Sequence, residues 1–134
     1  NTLKSTAGAT YLHQYMLRLA ETYLQRAEAF LIKLYKQKPA NDINEVRNRA
    51  HTSEVGASEV TIDYILDERA RELVYEEFRR ITLGRLGKYV ERVRKYNTLN
   101  GPRVEDYHEL FPIPYSAIEA NKDAVLEQNP GYKN

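Results

Sequence analysis

The sequence predicts an all-α fold made of a helix hairpin, a third long helix, long irregular loops and a docked C-terminal tail. Apolar residues recur at steps of three and four along most of the chain, which is the period of an amphipathic helix. No stretch shows the apolar–polar alternation of a half-buried strand. The last quarter mixes apolar residues with Pro and Gly at turn positions, which favours a tail that packs on the protein.

The hairpin is predicted over residues 11–50. Thr10 is the expected cap of a first helix, whose apolar positions run from Leu12 to Tyr35 and which ends before Pro39. Because the apolar stripe is wide, we expect this helix to contact partners on more than one side.

Asp42 and Glu45 have the spacing of a capping box and predict a second helix over residues 43–50. Leu19, Ala20 and Tyr23 match part of the core pattern of a tetratricopeptide unit, so the hairpin is predicted to be tetratricopeptide-like. One such unit cannot bury its faces alone. Either further units precede it, or the third helix closes the core.

The third long helix is predicted over residues 61–87. Thr61 is its expected N-terminal cap, and Gly84 and Gly87 mark its end or a kink. Leu73 lies on its apolar face, so we expect this side chain to be buried in the core.

The remaining residues, 88–134, are predicted to form a short basic helix, a loop and the docked tail. Pro112 and Pro114 stiffen the start of the tail and hold the residues before them extended. Ser116 with Glu119 has capping-box spacing, so a short helix should begin there. Pro and Gly occupy the two central positions of a type II turn over residues 129–132.

Length and composition bound the class of protein. The chain has 134 residues, enough for a single helical domain, and a net charge of +1, which excludes a strong global field. It has no cysteine, so disulfides and cysteine-bound metals are excluded. No apolar run approaches the roughly 20 residues of a membrane span, and the chain itself is expected to be soluble. It begins at Asn1 without an initiator methionine, so we expect a fragment or a processed product.

Paired carboxylates on the third helix are the first pattern that could carry chemistry. Glu68, Glu72 and Glu76 lie one turn apart, a spacing that can bind a metal or share a proton. A helical metal site would also need a facing Glu-x-x-His, and the chain has none. We therefore expect ion pairs, with Arg69 and Arg79 as partners, and neither an enzyme nor a metal or cofactor site.

Charge is divided unevenly along the chain. Residues 59–78 hold seven acids, whereas residues 79–103 hold eight bases interleaved with Tyr89 and Tyr96. Such a basic stretch is a possible nucleic-acid footprint. Cations at helix C-termini and the acids of the tail explain it better, so we expect no nucleic acid as partner.

Three blocks of sequence resemble the SusD/RagB family in the expected order. The first covers residues 17–29 together with 43–50. The second is the Ile65-Leu66-Asp67-Glu68-Arg69-Ala70-Arg71-Glu72-Leu73 run, with Glu76, Phe78-Arg79-Arg80 and Leu83 after it. The third is the tail, with Leu110-Phe111-Pro112-Ile113-Pro114-Tyr115 and Asn129-Pro130-Gly131-Tyr132. The Gly-Asp turn usual between the first two helices is replaced here by Lys36-Gln37-Lys38-Pro39.

The resemblance implies a part of a glycan-binding lipoprotein of the outer-membrane surface. Members of the family are mostly α-helical, are not enzymes, and hand oligosaccharides or other nutrients to a SusC-like, TonB-dependent transporter. This chain resembles their C-terminal portion, which implies a scaffold role and a membrane contact only through an upstream lipid anchor.

The matched blocks are scaffold, so the resemblance transfers no binding residue to this chain. Tyr107 and His108, on the loop before the tail, are weak candidates for ligand contact, and a structural role is the stronger expectation. The alternative function is a free-standing tetratricopeptide-like module that binds a peptide in its groove.

Overall fold

The structure, a computed structural model, describes residues 16–133. In this part of the chain every regular element is helical, which confirms the all-α class. The chain divides into two compact units, Asn1–Glu77 and Phe78–Asn134, called here the N-terminal and the C-terminal unit. The single domain over residues 1–134 stays a prediction. None of the described helices is long and apolar enough to cross a membrane.

The predicted hairpin is present as α1 (Leu19–Ile32) and α2 (Lys38–Arg49). Ala20, Ala27 and Ala40 are all buried where the two helices meet. Alanine side chains allow a close approach of two backbones, and the hairpin core is completed by larger neighbours such as Leu24, Ile43 and Val46.

The first helix is shorter than predicted. Thr10 and Leu12 lie outside the described residues, but α1 begins at Leu19, preceded by an extended Arg18. The side chain of Arg18 reaches Glu72 and Glu76, so this residue leaves the helix to bind acids from a distant segment. At the other end α1 stops at Ile32, and Leu34 adopts a left-handed φ of 60°.

The second helix begins earlier than predicted, and Asp42 is not its cap. α2 starts at Lys38 with Pro39 in the first turn, where the missing N–H of proline costs nothing. Asp42 is instead buried on the inner face and accepts two hydrogen bonds from Arg26, at 2.9 and 2.6 Å. An interhelical ion pair has therefore taken the place of the predicted cap.

Helix α3 (Ile62–Glu72) closes the core of the N-terminal unit against α1 and α2. Its predicted cap is confirmed, because the Thr61 hydroxyl accepts the Tyr64 N–H at 3.1 Å. Ile65 and Leu66 are completely buried or nearly so, and Leu73 is only 2% exposed. The sequence left two ways to bury the faces of the hairpin: preceding units of the same kind, or the third helix. In the N-terminal unit the third helix packs on the hairpin.

The continuous helix predicted over residues 61–87 is wrong. α3 ends at Glu72, and a second helix, α4 (Arg79–Arg85), follows a turn in which Tyr75 has a left-handed φ of 62°. The turn lets Glu77 fold back to Arg69. On a continuous helix these two residues would lie roughly 12 Å apart along the axis, too far to pair.

The C-terminal unit consists of short helices. α4 is followed by α5 (Tyr89–Tyr96), then by two single 3₁₀ turns (Gly101–Arg103 and Asp106–Glu109) and by α6 (Tyr115–Ala120). The short basic helix is thus confirmed, and Asn97 forms the predicted turn after it by accepting the N–H groups of Leu99 and Asn100.

The tail has the predicted elements with one correction. A short helix is present, but Pro114 precedes it and Ser116 lies inside it without capping it. Pro114 already sets the backbone at the helix start, so α6 begins one residue before Ser116. The type II turn is confirmed: Tyr132 N–H bonds to Asn129 C=O at 3.3 Å, and Gly131 has a φ of 87°.

Candidate functional site

The carboxylates of α3 lie in ion pairs. Glu68 is buried and accepts hydrogen bonds from Arg47 at 2.9 Å and from Arg71 at 2.6 Å. The hydrogen bond to Glu68 raises the pKa of Arg71 above its ordinary value. Both hydrogen bonds end on Oε2 of Glu68, so two guanidinium groups already neutralise this carboxylate.

Glu72 and Glu76 are paired in the same way. Arg18 contacts Glu72 at 3.0 Å and Glu76 at 2.6 Å, and Arg49 contacts Glu72 at 2.7 Å. Arg18 also donates to the Glu72 carbonyl at 2.9 Å, which caps the last turn of α3. The hydrogen bond to Glu76 raises the pKa of Arg18 above its ordinary value.

Among the described residues of the N-terminal unit, Arg69 is the most deeply buried cation, at 1% exposure. Its Nη2 donates to Glu21 at 3.1 Å, and its Nε donates to Glu77. The sequence predicted Arg69 and Arg79 as partners of Glu68, Glu72 and Glu76, but Arg69 binds two other acids and Arg79 begins α4. Within residues 16–133 no group of three His, Cys, Asp or Glu side chains could hold a metal ion.

Tyr107 and His108, the two weak ligand candidates, both have packing roles in the C-terminal unit. Their rings stack at 4.2 Å, and Tyr132 from the tail meets Tyr107 edge-on at 4.9 Å. Gly131 lies so close to Tyr107 that an added Cβ would be 2.3 Å from its Cγ. The pair therefore anchors the tail, and ligand contact by these residues stays a prediction.

Side-chain amides close the tail on itself. Gln128 pairs with both backbone groups of Ile113, accepting its N–H at 2.7 Å and donating to its C=O at 2.8 Å. Asn129 donates to the Phe111 carbonyl at 2.7 Å, and the Tyr132 hydroxyl donates to the Leu110 carbonyl at 2.9 Å. These contacts give the docked tail its geometry, and no local sequence pattern indicated the Gln128 contact.

Arg80 and Glu109 hold the loop before the tail. The Arg80 guanidinium lies 3.5 Å from the Tyr89 ring centroid and 4.3 Å from that of Phe111, and it donates to the His108 carbonyl at 2.6 Å. The Glu109 carboxylate accepts the first two N–H groups of α5, at 3.0 and 2.9 Å. Acids of the tail thus fold back onto the basic segment, as predicted.

An open groove of about 390 Å³ lies beside this cluster in the C-terminal unit. Its lining combines cationic, amide and apolar side chains and contains no carboxylate: Arg79, Arg80, Leu83, Tyr89, Val93, Asn97, Asn100, Arg103, Val104 and His108. The sequence showed the basic segment, but the groove also needs the turn and the loop that follow α5.

The N-terminal unit has a mostly apolar groove of about 370 Å³ between the start of α1 and the end of α2. Leu17 and Leu19 line it and are 58% and 69% exposed. The rest of the lining is Arg18, Ala20, Tyr23, Val46 and Arg49. The described residues thus offer recesses and paired charges, which define a helical scaffold or binding protein as the class.

The chain belongs to the SusD family. The sequence model of that family matches residues 1–132. The starch-binding protein SusD of Bacteroides thetaiotaomicron is 38% identical over 126 residues, which cover 88% of this chain and 21% of that relative. The chain therefore spans about a fifth of the length of this relative. A comparison with solved structures gives no match.

The family match confirms the resemblance that the three blocks of sequence indicated. The prediction that the chain is not an enzyme agrees with it, because the relative is named for binding starch.

Proposed function

We propose that the chain is the C-terminal scaffold of a glycan-binding protein of the outer-membrane surface. The observation that carries the proposal is the 38% identity to a starch-binding protein across nearly all of the chain. In this role the N-terminal unit supports glycan-binding loops that lie elsewhere in a longer protein.

The packing of the described residues supports a scaffold role. Buried arginines and paired carboxylates fix the ends of α1, α2 and α3 to one another. Groups saturated by internal partners hold a backbone in place but have few bonds left for a ligand. In the C-terminal unit, the rings of Tyr107 and Tyr132 likewise contact each other within the chain.

The experiment compares the product of the complete reading frame with the chain alone. Isothermal titration with maltoheptaose measures binding, with a cellulose oligosaccharide of similar length as the control ligand. We expect the longer protein to bind maltoheptaose, to leave it uncleaved, and to bind it much more tightly than the chain does. Equal affinity of the two proteins would place the starch site in this chain and contradict the scaffold role.

We also propose that the longer protein passes its ligand to a SusC-like, TonB-dependent transporter and reaches the membrane through a lipid anchor. The family membership supports this part of the proposal. Affinity purification of the native protein from membranes tests it. Recovery of a transporter barrel is the expected result, and recovery of the protein alone from the aqueous fraction contradicts both statements.

The alternative, a free-standing tetratricopeptide-like module, has one observation in its favour. The groove lined by Leu17, Leu19 and Tyr23 has the apolar character that an amphipathic peptide helix requires. A reading frame that starts near Asn1, together with peptide binding that Leu19→Glu abolishes, would favour this function over the scaffold.

A further inference from the structure

The groove of the C-terminal unit is lined by two guanidinium groups, those of Arg80 and Arg103, that take part in no ion pair within the described residues. The Arg80 guanidinium donates hydrogen bonds to the backbone carbonyls of His108 and Glu109, which are neutral groups. It also lies over the aromatic rings of Tyr89 and Phe111. Among the described ion pairs none includes Arg80 or Arg103. A guanidinium in a groove without an acid attracts an anion from solution.

Several donors in the groove also lack a partner within the described part of the chain. The side chain of Arg103 makes no hydrogen bond there, and neither does the Asn100 amide or the Tyr89 hydroxyl. A guanidinium binds a carboxylate through two parallel N–H groups, and an amide binds hydroxyl groups as donor and as acceptor. The set of free groups therefore matches a ligand that carries both a carboxylate and hydroxyls.

His108 adds one more donor to the same lining. Its Nδ1 accepts the Glu105 N–H at 2.8 Å, so the neutral ring carries its proton on Nε2. This tautomer offers its Nε2–H to a ligand in the groove.

The size and the apolar part of the groove favour a sugar over an inorganic anion. Its volume of about 390 Å³ lies within the range of about 300–1,000 Å³ typical of small-molecule sites. Val93 and Tyr89, which are half-buried, provide apolar surface for the C–H face of a pyranose ring, above the buried Leu83. A phosphate ion would use the cations but leave this surface and the amides without contacts.

We propose that this groove is a subsite for an acidic saccharide, with Arg103 and Arg80 facing the carboxylate of a uronic acid and Asn100 binding its hydroxyls. The saccharide part of this inference rests on the proposed glycan-binding function. It goes beyond that function by placing a ligand site in this chain and by assigning it a charged sugar.

The test is an NMR titration of the complete chain with trigalacturonate, with maltotriose as the neutral ligand of equal length. We expect trigalacturonate to shift the amide signals of residues 97–104 and 108, and maltotriose to leave them unchanged. Arg103→Gln should weaken binding about tenfold or more, because a charge-assisted hydrogen bond is lost. Arg103 is exposed and makes no described side-chain contact, so the variant should fold normally.

Lys122→Gln is the matched control, because it removes one positive charge from an exposed position of the same unit outside the groove. It should leave the affinity unchanged. Equal losses in both variants would mean a general charge effect and would overturn the subsite, as would shifts confined to other residues.

Two further ligands separate the possible sources of the anion. Inorganic phosphate or a short single-stranded oligonucleotide that binds the groove as tightly as trigalacturonate would overturn the saccharide assignment. Absence of any shift with trigalacturonate would overturn the subsite but leave the proposed starch binding intact, because that function is measured with maltoheptaose and the longer protein.

Discussion

At the residue scale, the buried Arg69 joins three segments of the N-terminal unit: α3, on which it lies, α1 through Glu21, and the turn after α3 through Glu77. It is 1% exposed and lies between Glu21 and Glu77, and the Glu77 side chain is itself only 4% exposed. Removing one member of a buried pair leaves the other charge without compensation, which costs about 3–5 kcal/mol. We expect Arg69→Met to lower the free energy of unfolding by about this amount in urea denaturation.

Arg71→Met is the control for Arg69, because Arg71 is 56% exposed and also pairs with a carboxylate of α3. The charge of Arg71 is largely exposed, and Glu68 keeps Arg47 as a partner when Arg71 is replaced, so we expect a loss of at most about 1 kcal/mol. The double variant Arg69→Met with Glu77→Gln should recover part of the loss. Equal losses in the free energy of unfolding for the Arg69 and Arg71 variants would contradict the idea that the burial of Arg69 makes its ion pairs important for stability.

Gly131 is the residue on which the docking of the tail depends, because both its backbone conformation and its neighbour Tyr107 exclude a side chain. Its φ is 87°, and an added Cβ would lie 2.3 Å from Cγ of Tyr107. Gly87→Ala is the matched variant: Gly87 has a φ of 62° and nothing within 4 Å of the added Cβ. Each variant carries a left-handed strain of about 1–2 kcal/mol.

We therefore expect Gly131→Ala to release the tail and Gly87→Ala to leave it docked. Limited proteolysis within residues 121–133 measures the difference, since a released tail is cleaved faster. Equal cleavage of the two variants would mean that the contact of Gly131 with Tyr107 does not hold the tail.

At the element scale, the sequence predicted which segments are helical better than where they end. Periodicity identified α1, α2, α3 and α5, and Thr61 was recognised because a cap is a local pattern. The break after Glu72 was missed because it depends on contacts that helical periodicity does not show. Arg18, 54 residues away, caps α3, and Glu77 turns back to Arg69. The groove was missed for the same reason, since its lining comes from two helices and a later loop.

The end of α3 also allows a test of the core. Leu73 caps the helix and is 2% exposed among the buried residues of the N-terminal unit, whereas its neighbour Val74 is 60% exposed. Leu73→Ala should cost about 2–5 kcal/mol in the free energy of unfolding, and Val74→Ala about 0.5 kcal/mol or less. A change in Leu73→Ala as small as that of the control would show that α3 does not close this core.

At the scale of the whole molecule, the two units differ in how much apolar surface they bury. Leu83 and Val90 are the buried apolar residues described in the C-terminal unit, and all the others belong to the N-terminal unit. The C-terminal unit relies instead on the Arg80 and Glu109 contacts and on the amides of the tail. Hydrogen bonds of this kind contribute about 1 kcal/mol each, so we expect this unit to be the less stable one.

Hydrogen exchange followed by mass spectrometry tests this order of stability. Amides of α5 should exchange faster than those of α3, and Leu73→Ala should accelerate α1 to α3 while leaving α5 unchanged. The physical reason is that a small core opens locally before the larger one unfolds. A single protection level for both units, lowered everywhere by Leu73→Ala, would contradict the order and support the one cooperative domain that the sequence predicts.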